Sequence, residues 1–514
     1  MIKSVHRFPL QLLFALLLGA LGVAGFAPFY IFPLSIFSLA GLLWLWSQRV
    51  EPTAGAWLGF VYGLGYFGAG VSWVYVSLHD FGAMPMLLAV IATFLFCAFL
   101  ALFPALVGFI QAKSHARKTV KFLILIPALW VWSEWVRGWI FTGFPWLAMG
   151  YSQAPYSPLS GFAPVLGVYG VSLMAAISAG LLGGMLLGPA ESGVRNHRKL
   201  WLGVLLTIWV AGFALKQIAW TQAEGEPVSV SLLQGNIPQD MKWQESRVQS
   251  TLDTYRDLVL SSRSRLIILP ETAIPLFYHN VPFGYLDELT AKARANNGAV
   301  LIGLPEYDQN SGQAYYNSVL GFSGAAPQIY RKFHLVPFGE YVPLRPVFGW
   351  IIDSLQIPLT DFARGSTFQK PMEVAGQRVA VNVCYEDVFG EEIIHQLPAA
   401  TMLVNVSNDA WFGDSVAPVQ HLQISQMRAL ETGRYMLRAT NTGVTAIVNE
   451  RGQVMQRLPA FVSGVLEGKA QGFVGATPYI KWGNSVILVL LGLMLAIGLY
   501  LGQRKSSGSS QPTV

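Results

Sequence analysis

The chain has 514 residues, 53% of them hydrophobic and only 12% charged, with a formal net charge of +6. Ordinary soluble proteins carry about a quarter charged residues, so this composition excludes one and points to an integral membrane protein. The basic residues stand in short clusters beside apolar runs rather than along one face, which argues for a membrane rather than nucleic acid as the source of the charge; the two cysteines, Cys97 and Cys384, exclude a disulfide framework and any paired-cysteine metal motif.

Apolar runs of about 20 residues match the hydrocarbon thickness of a bilayer. Seven fall in the first 220 residues, at 8–26, 30–47, 54–78, 83–111, 121–140, 161–188 and 199–218, and an eighth lies at 485–502. The stretch between the last two has ordinary polarity and Pro and Gly punctuation, as expected of one soluble domain. The expected organisation is a seven-helix transmembrane bundle over 1–220, a soluble domain over 221–479, an eighth transmembrane helix over 480–503 and a tail over 504–514. The first span also reads as a signal peptide, since Lys3 and Arg7 lead into it and small residues stand near Ala24, although no clear cleavage motif follows.

Lys and Arg near span ends mark the cytoplasmic side. Lys3 and Arg7, then Arg49, then Lys113, Arg117, Lys118 and Lys121, then Arg195, Arg198 and Lys199, and finally Arg504 and Lys505 all fall on one side of an eight-span topology. The alternate connections, near Pro28, at 79–84 and at 142–160, hold no Lys or Arg. Both termini are therefore expected in the cytoplasm and the large domain outside it, which for a bacterial inner membrane means the periplasm. One helix would suffice as an anchor, so eight suggest a working bundle.

From residue 228 the pattern changes to short β-rich runs: "VSVSLLQGNI", "LIILPETAI", "AVLIGLPEY", "YYNSVLGFSG", "RVAVNVCYED", "TMLVNVSNDAWFG" and "TGVTAIVNERG", with helical segments at 243–262 and 417–438. Continuous Val, Ile and Leu runs imply strands buried on both faces, hence a layered α/β domain. In such folds polar residues just past strand ends gather into a site. "LIILPE" ends at Glu271, "VAVNVC" ends at Cys384, and "QIYRKFHLVPFGEYVP" brings Lys332 and Glu340 after a hairpin-like pair. Each alone has a plain structural reading as a satisfied cap. Together they suit nucleophilic acyl chemistry: a carboxylate takes the thiol proton, the thiolate attacks a carbonyl and an ammonium stabilises the oxyanion.

At these residues the sequence resembles the nitrilase, or carbon-nitrogen hydrolase, superfamily. The longer "YRKFHLVPFGEYVP" motif, together with "LLQGNIPQDMKW", "NVCYEDVFG", "NVSNDAWFGDSVAPVQHLQISQMRALETGRY" and "RATNTGVTAIV", makes it similar to that superfamily's apolipoprotein N-acyltransferases over nearly the whole chain. The resemblance implies an α-β-β-α sandwich on a polytopic membrane bundle, with Glu271 as general base, Lys332 as oxyanion stabiliser and Cys384 as nucleophile. It implies Glu340 as a second carboxylate beside the triad, Tyr385 and Glu386 as pocket lining and Trp243 as a substrate-contact aromatic. The implied reaction is ping-pong, without cofactor. A membrane phospholipid such as phosphatidylethanolamine gives its sn-1 acyl chain to Cys384, and the α-amine of a diacylglyceryl-cysteine apolipoprotein takes it, with a monomer sufficing.

Three further features carry two readings each. Residues 344–360, "LRPVFGWIIDSLQIPLT", are a buried helix or a loop that dips into the membrane and gates lipid entry. Glu134 and Arg137, three apart on one span, neutralise each other or meet a lipid headgroup, the former being the simpler. Cys97 is a packing residue. The rival functions are a tethered hydrolase that gives the acyl group to water, and a transporter, whose expected mark of paired polar positions within several spans is absent apart from Glu134 and Arg137.

Overall fold

A computed structural model of the chain describes residues 8–186, 198–239, 242–308, 314–324, 326–342 and 361–507. The segment 344–360 lies outside the described residues. Two compact units result: Met1–Tyr75 with Leu87–Ile218 and Trp482–Val514, and Val76–Met86 with Ala219–Lys481.

In the first unit every expected span is helical, but not every one is long. Among the described residues five helices, Met86–Lys113, Lys118–Arg137, Pro158–Met185, Arg198–Gln217 and Ser485–Gln503, have the length and apolarity to cross a membrane. Phe8–Val23 and Pro33–Ser47 are apolar but shorter. Pro52–Val71 has the length, and its glycines serve packing. A Cβ on Gly65 would lie 2.1 Å from the Leu16 carbonyl oxygen, and one on Gly19 2.0 Å from that of Tyr62. Each helix thus presents a glycine to the other's backbone, the close approach by which small residues join apolar helices.

Glu134 and Arg137 are both buried, and both hold the chain that follows their helix. Glu134 Oε1 accepts from the Trp130 indole at 2.9 Å and the Met149 N–H at 2.8 Å. Arg137 Nη1 donates to the carbonyls of Phe144 at 2.5 Å and Trp146 at 2.6 Å. The pair therefore satisfies loop backbone that would otherwise need another partner in an apolar setting. Cys97 is buried within Met86–Lys113, as a packing residue should be.

The second unit is built on two six-stranded sheets. The first runs β12 (Gly464–Val474), β1 (Gln222–Gln234), β2 (Leu266–Ile268), β3 (Ala299–Tyr307), β4 (Tyr315–Phe322), β5 (Gln328–Arg331). The second runs β11 (Val454–Arg457), β10 (Ala446–Val448), β9 (Met436–Thr440), β8 (Met402–Ser407), β7 (Gln377–Val383), β6 (Met372–Val374). Strand periodicity of two then assigns the faces. Val228, Val230, Leu232, Ile268 and Leu301 share one core with Val379, Val381, Val383, Val404 and Val406, so this layer lies between the sheets. The alternate residues Leu233, Ile267, Val300 and Ile302 pack instead on Leu252, Val259 and Leu289 of helices Glu245–Ser261 and Tyr285–Ala295. Ala380, Leu403 and Met436 pack on Leu422 and Ala429 of helix Ala417–Thr432. The layers are α-β-β-α.

The helix expected at 417–438 ends sooner. Gly433 takes the left-handed conformation (φ 61°, ψ 40°) as its cap, and Met436 already begins β9. Strand β12 has no apolar run to mark it in the sequence, because glycines and the exposed Glu467 and Lys469 interrupt its apolar residues.

Candidate active site

Glu271 stands just past the end of β2, in a "PE" turn whose next residue, Thr272, has a positive φ of 46°. Its carboxylate is bound at both oxygens: Oε1 accepts from Asn317 Nδ2 at 2.7 Å, and Oε2 from the Asn408 N–H at 2.7 Å. Lys332 follows β5, its own N–H donating to the Asn317 carbonyl at 2.8 Å, and its side chain is almost wholly buried. Lys332 Nζ lies 3.4 Å from Glu271 Oε1 and 2.8 Å from Glu340 Oε2. Glu340 is brought back by a tight turn, in which its Oε2 accepts the Val336 N–H at 2.9 Å, and Asn317 Nδ2 reaches its Oε1 at 2.9 Å. Asn317 thus bridges the two carboxylates while Lys332 lies between them.

Cys384 ends β7 and opens a short helical turn with a φ of 54°, in the left-handed region that non-glycine residues seldom occupy. Such strain persists only where neighbours over-determine it, and it is common at reactive groups. Its carbonyl accepts from Asn405 Nδ2 at 3.0 Å. The next turn residues are the buried Tyr385, Glu386 and Asp387.

Glu386 pins the strand of Cys384 to the loop of Lys332. Oε2 accepts from the Val383 N–H at 2.6 Å and the Tyr330 hydroxyl at 3.0 Å, and Oε1 from the N–H groups of Phe333 at 2.6 Å and His334 at 3.1 Å. Tyr385 packs edge-on to Phe389, with ring centroids 5.3 Å apart, and Phe389 stacks on His334. Trp243 is partly buried in the turn before helix Glu245–Ser261. Its neighbour Lys242 is buried, with Nζ donating to the Glu271 carbonyl at 3.2 Å.

The charges decide the resting protonation. Burial alone would raise Glu271, but Lys332, then Lys242, and the donors from Asn317 and Asn408 outweigh it and hold the carboxyl below its ordinary range. Burial and the Glu271 charge push the Cys384 thiol well up, only partly offset by Lys332. Burial would lower Lys332, yet Glu340 and Glu271 keep it raised and charged. Burial drops Lys242 to about 8 and lifts Glu386 to about 7. These directions leave Glu271 a carboxylate, Lys332 an ammonium and Cys384 a protonated thiol at neutral pH.

The sequence-selected residues Glu271, Lys332, Glu340, Cys384 and Glu386 are drawn together in this one region. Asn317, Lys242, Asn408 and the polar groups of β8 were not singled out. Asn317 sits within a strand where a polar residue facing a site looks like any other, and Asn408 acts through its backbone. Lys242 had the one available signal, a lone lysine beside the selected Trp243.

A carbon-nitrogen hydrolase family model matches residues 229–479, the part of the chain that forms this α-β-β-α sandwich. A model of the apolipoprotein N-acyltransferase N-terminal domain matches residues 18–181. The chain is 56% identical over 499 residues to an apolipoprotein N-acyltransferase of Nitrosomonas europaea, covering 96% of this chain and 99% of that one. It is 45% identical to that of Methylococcus capsulatus, covering 97% of each chain, and 43% identical to that of Chromobacterium violaceum, covering 98% and 96%. The chain belongs to the apolipoprotein N-acyltransferase family.

Proposed function

We propose that the chain moves an acyl chain from the sn-1 position of a phospholipid, phosphatidylethanolamine foremost, to the N-terminal diacylglyceryl-cysteine of an apolipoprotein. Glu271 takes the proton of the Cys384 thiol, and the thiolate attacks the acyl ester. Lys332 stabilises the oxyanion. The departing lysophospholipid oxygen takes the proton from Glu271, leaving a thioester on Cys384. The α-amine of the apolipoprotein then attacks that thioester and gives a proton to Glu271, which returns it to the departing thiolate as the amide forms. Glu340 keeps Lys332 charged and in place, while Tyr385, Glu386 and Trp243 border the acyl pocket.

The observation that carries this reading is the arrangement of Glu271, Lys332 and Glu340 near a strained Cys384, in a chain with near-full-length relatives named for the reaction. Both substrates are held in a bilayer by their own chains. The helices at 8–26, 30–47, 54–78, 83–111, 121–140, 161–188, 199–218 and 485–502 therefore all span the bacterial inner membrane in this proposal. The domain 221–479 faces the periplasm, both termini and the tail 504–514 face the cytoplasm, and the enzyme works as a monomer.

Mass spectrometry of the purified protein after incubation with phospholipid tests the mechanism. An acyl adduct on Cys384 is expected, accumulating without acceptor, discharged by a diacylglyceryl-cysteine peptide and missing in Cys384→Ala. Active enzyme with no adduct would sink the covalent route. Equal discharge by water would favour a hydrolase.

A further inference from the structure

A second polar assembly lies beside Cys384, and the acyl-transfer steps above make no use of it. Parallel pairing of β7 with β8 sets Val383 beside Val406, so the next residues, Cys384 and Ser407, are neighbours. Paired strands stand about 4.8 Å apart, so the Ser407 hydroxyl stands beside the Cys384 side chain, where it favours the charged form of the thiol. That hydroxyl has one proton, and it donates it to Asp409 Oδ1 at 2.7 Å.

Asp409 does not depend on that donor. Arg438 Nη2 reaches its Oδ2 at 2.8 Å, and His421 Nδ1 lies 3.1 Å from its Oδ1. His421 Nε2 is 2.7 Å from Asp387 Oδ1, and Asp387 Oδ2 accepts from Ser425 at 2.5 Å and from Arg438 at 3.3 Å. All of these side chains are buried. Arg438 Nη1 also donates to Asn405 Oδ1 at 2.5 Å, the same Asn405 that donates to the Cys384 carbonyl. The assembly therefore borders Cys384 at two points, its side chain through Ser407 and its backbone through Asn405.

We propose that Ser407 is a further catalytic residue, whose O–H points to Asp409 while Cys384 carries a proton or an acyl group and turns to the sulfur whenever Cys384 is a thiolate. Asp409 keeps Arg438 as a donor on Oδ2 during the turn, and His421 Nδ1 remains 3.1 Å from the Oδ1 that Ser407 leaves. The thiolate, facing the charges of Glu271, Asp409 and Lys332, gains a neutral donor at the two moments it exists: before attack on the ester and on leaving the tetrahedral adduct with the amine. No proton changes owner in this motion. Glu271 remains the group that takes and returns it. The inference rests on Cys384 as the nucleophile.

Alkylation of the full-length protein in detergent micelles with iodoacetamide tests it, under a phosphine reductant, with the rate at Cys384 read by peptide mass spectrometry from neutral to alkaline pH. A hydrogen bond to a charged group is among the stronger ones, so Ser407→Ala is expected to displace the pH profile of alkylation upward by about one unit and to slow alkylation about threefold or more at neutral pH. Ser407→Thr keeps the hydroxyl and is expected to restore the profile. Should Ser407→Ala not fold, Ser407→Cys, a weaker donor of similar shape, is expected to show the same upward displacement to a smaller extent. A Ser407→Ala or Ser407→Cys profile that superimposes on the parent overturns the proposal. Failure of the nucleophile reading itself shows elsewhere, as acyl transfer that survives Cys384→Ala.

Discussion

Lys332 lies closer to Glu340, at 2.8 Å, than to Glu271, at 3.4 Å, although Glu271 is the carboxylate expected to handle protons. The lysine is thereby held by one acid and available to the other. Replacing it by Met would leave two carboxylates in a buried site, bridged by the neutral Asn317. Removing one partner of a buried ionic set costs about 3–5 kcal/mol. Lys332→Met is therefore expected to lower the thermal unfolding temperature and to abolish the acyl adduct on Cys384, whereas Lys332→Arg, which keeps the charge, is expected to recover stability more than activity. Thermal unfolding and adduct formation measured on the same preparations check both.

Lys242 is the second cation near Glu271, and its removal has a sign. Glu271 is held below its ordinary range partly by Lys242. A carboxylate with a depressed folded-state pKa contributes stability that is fully present above the unfolded value, about 4.3, and is lost as pH falls through the folded value. Lys242→Met raises Glu271, so both the acid limb of adduct formation and the acid loss of stability are expected to move to higher pH. Rates of adduct formation and unfolding temperatures across mildly acidic pH measure this; profiles identical to the parent would show that Lys242 does not set the base.

Much of this site was legible because strand ends announce themselves. The apolar runs that stop at Glu271 and Cys384 are strands buried on both faces, and a sharp change to ionisable residues at such an end has few purely structural causes. The layered fold was legible for the same reason. Asn317 and Ser407 were not, since a polar residue in a strand gives no sign of which face meets a site. Helix length was also poorly legible: an apolar run marks where a helix can lie, but Gly and Pro at its ends trim the regular part, so Phe8–Val23 and Pro33–Ser47 are shorter than the runs that contain them.

Glu386 offers a test of how the two halves of the site are kept in register. Four donors converge on its two oxygens, from Val383 on one side and from Tyr330, Phe333 and His334 on the other. Gln in its place has one acceptor oxygen and turns an NH2 group toward N–H donors. An unsatisfied buried donor costs about 1–3 kcal/mol, and here more than one is affected. Glu386→Gln is expected to lower the unfolding temperature and to slow adduct formation at least tenfold, because Lys332 and Cys384 are no longer fixed to one another. A folded variant with unchanged adduct kinetics would show that Glu386 only lines the pocket.

The turn that carries Asn408 and Asp409 is braced by residues 76–81, far from it in sequence. Ser77 Oγ donates to the Trp411 carbonyl at 2.8 Å, and the Phe81 ring meets Trp411 edge-on with centroids 6.4 Å apart. At the end of this turn Gly413 has φ 52° and ψ −156°, a conformation essentially confined to glycine, and a Cβ there would lie 2.9 Å from Val76 Cγ1. Gly413→Ala is therefore expected to cost about 1–3 kcal/mol from backbone strain alone. Relief of that strain has to move the turn, and the Asn408 N–H that fixes Glu271 Oε2 moves with it, so adduct formation should fall further than the loss of folded protein explains. Gly203→Ala, inside a helix where an added Cβ meets open space, is the control and is expected to leave adduct formation per folded molecule unchanged. Unfolding temperature and the rate of adduct formation per folded molecule separate the two effects, and a Gly413→Ala variant with full activity per folded molecule would show that the brace shapes the turn without positioning the base.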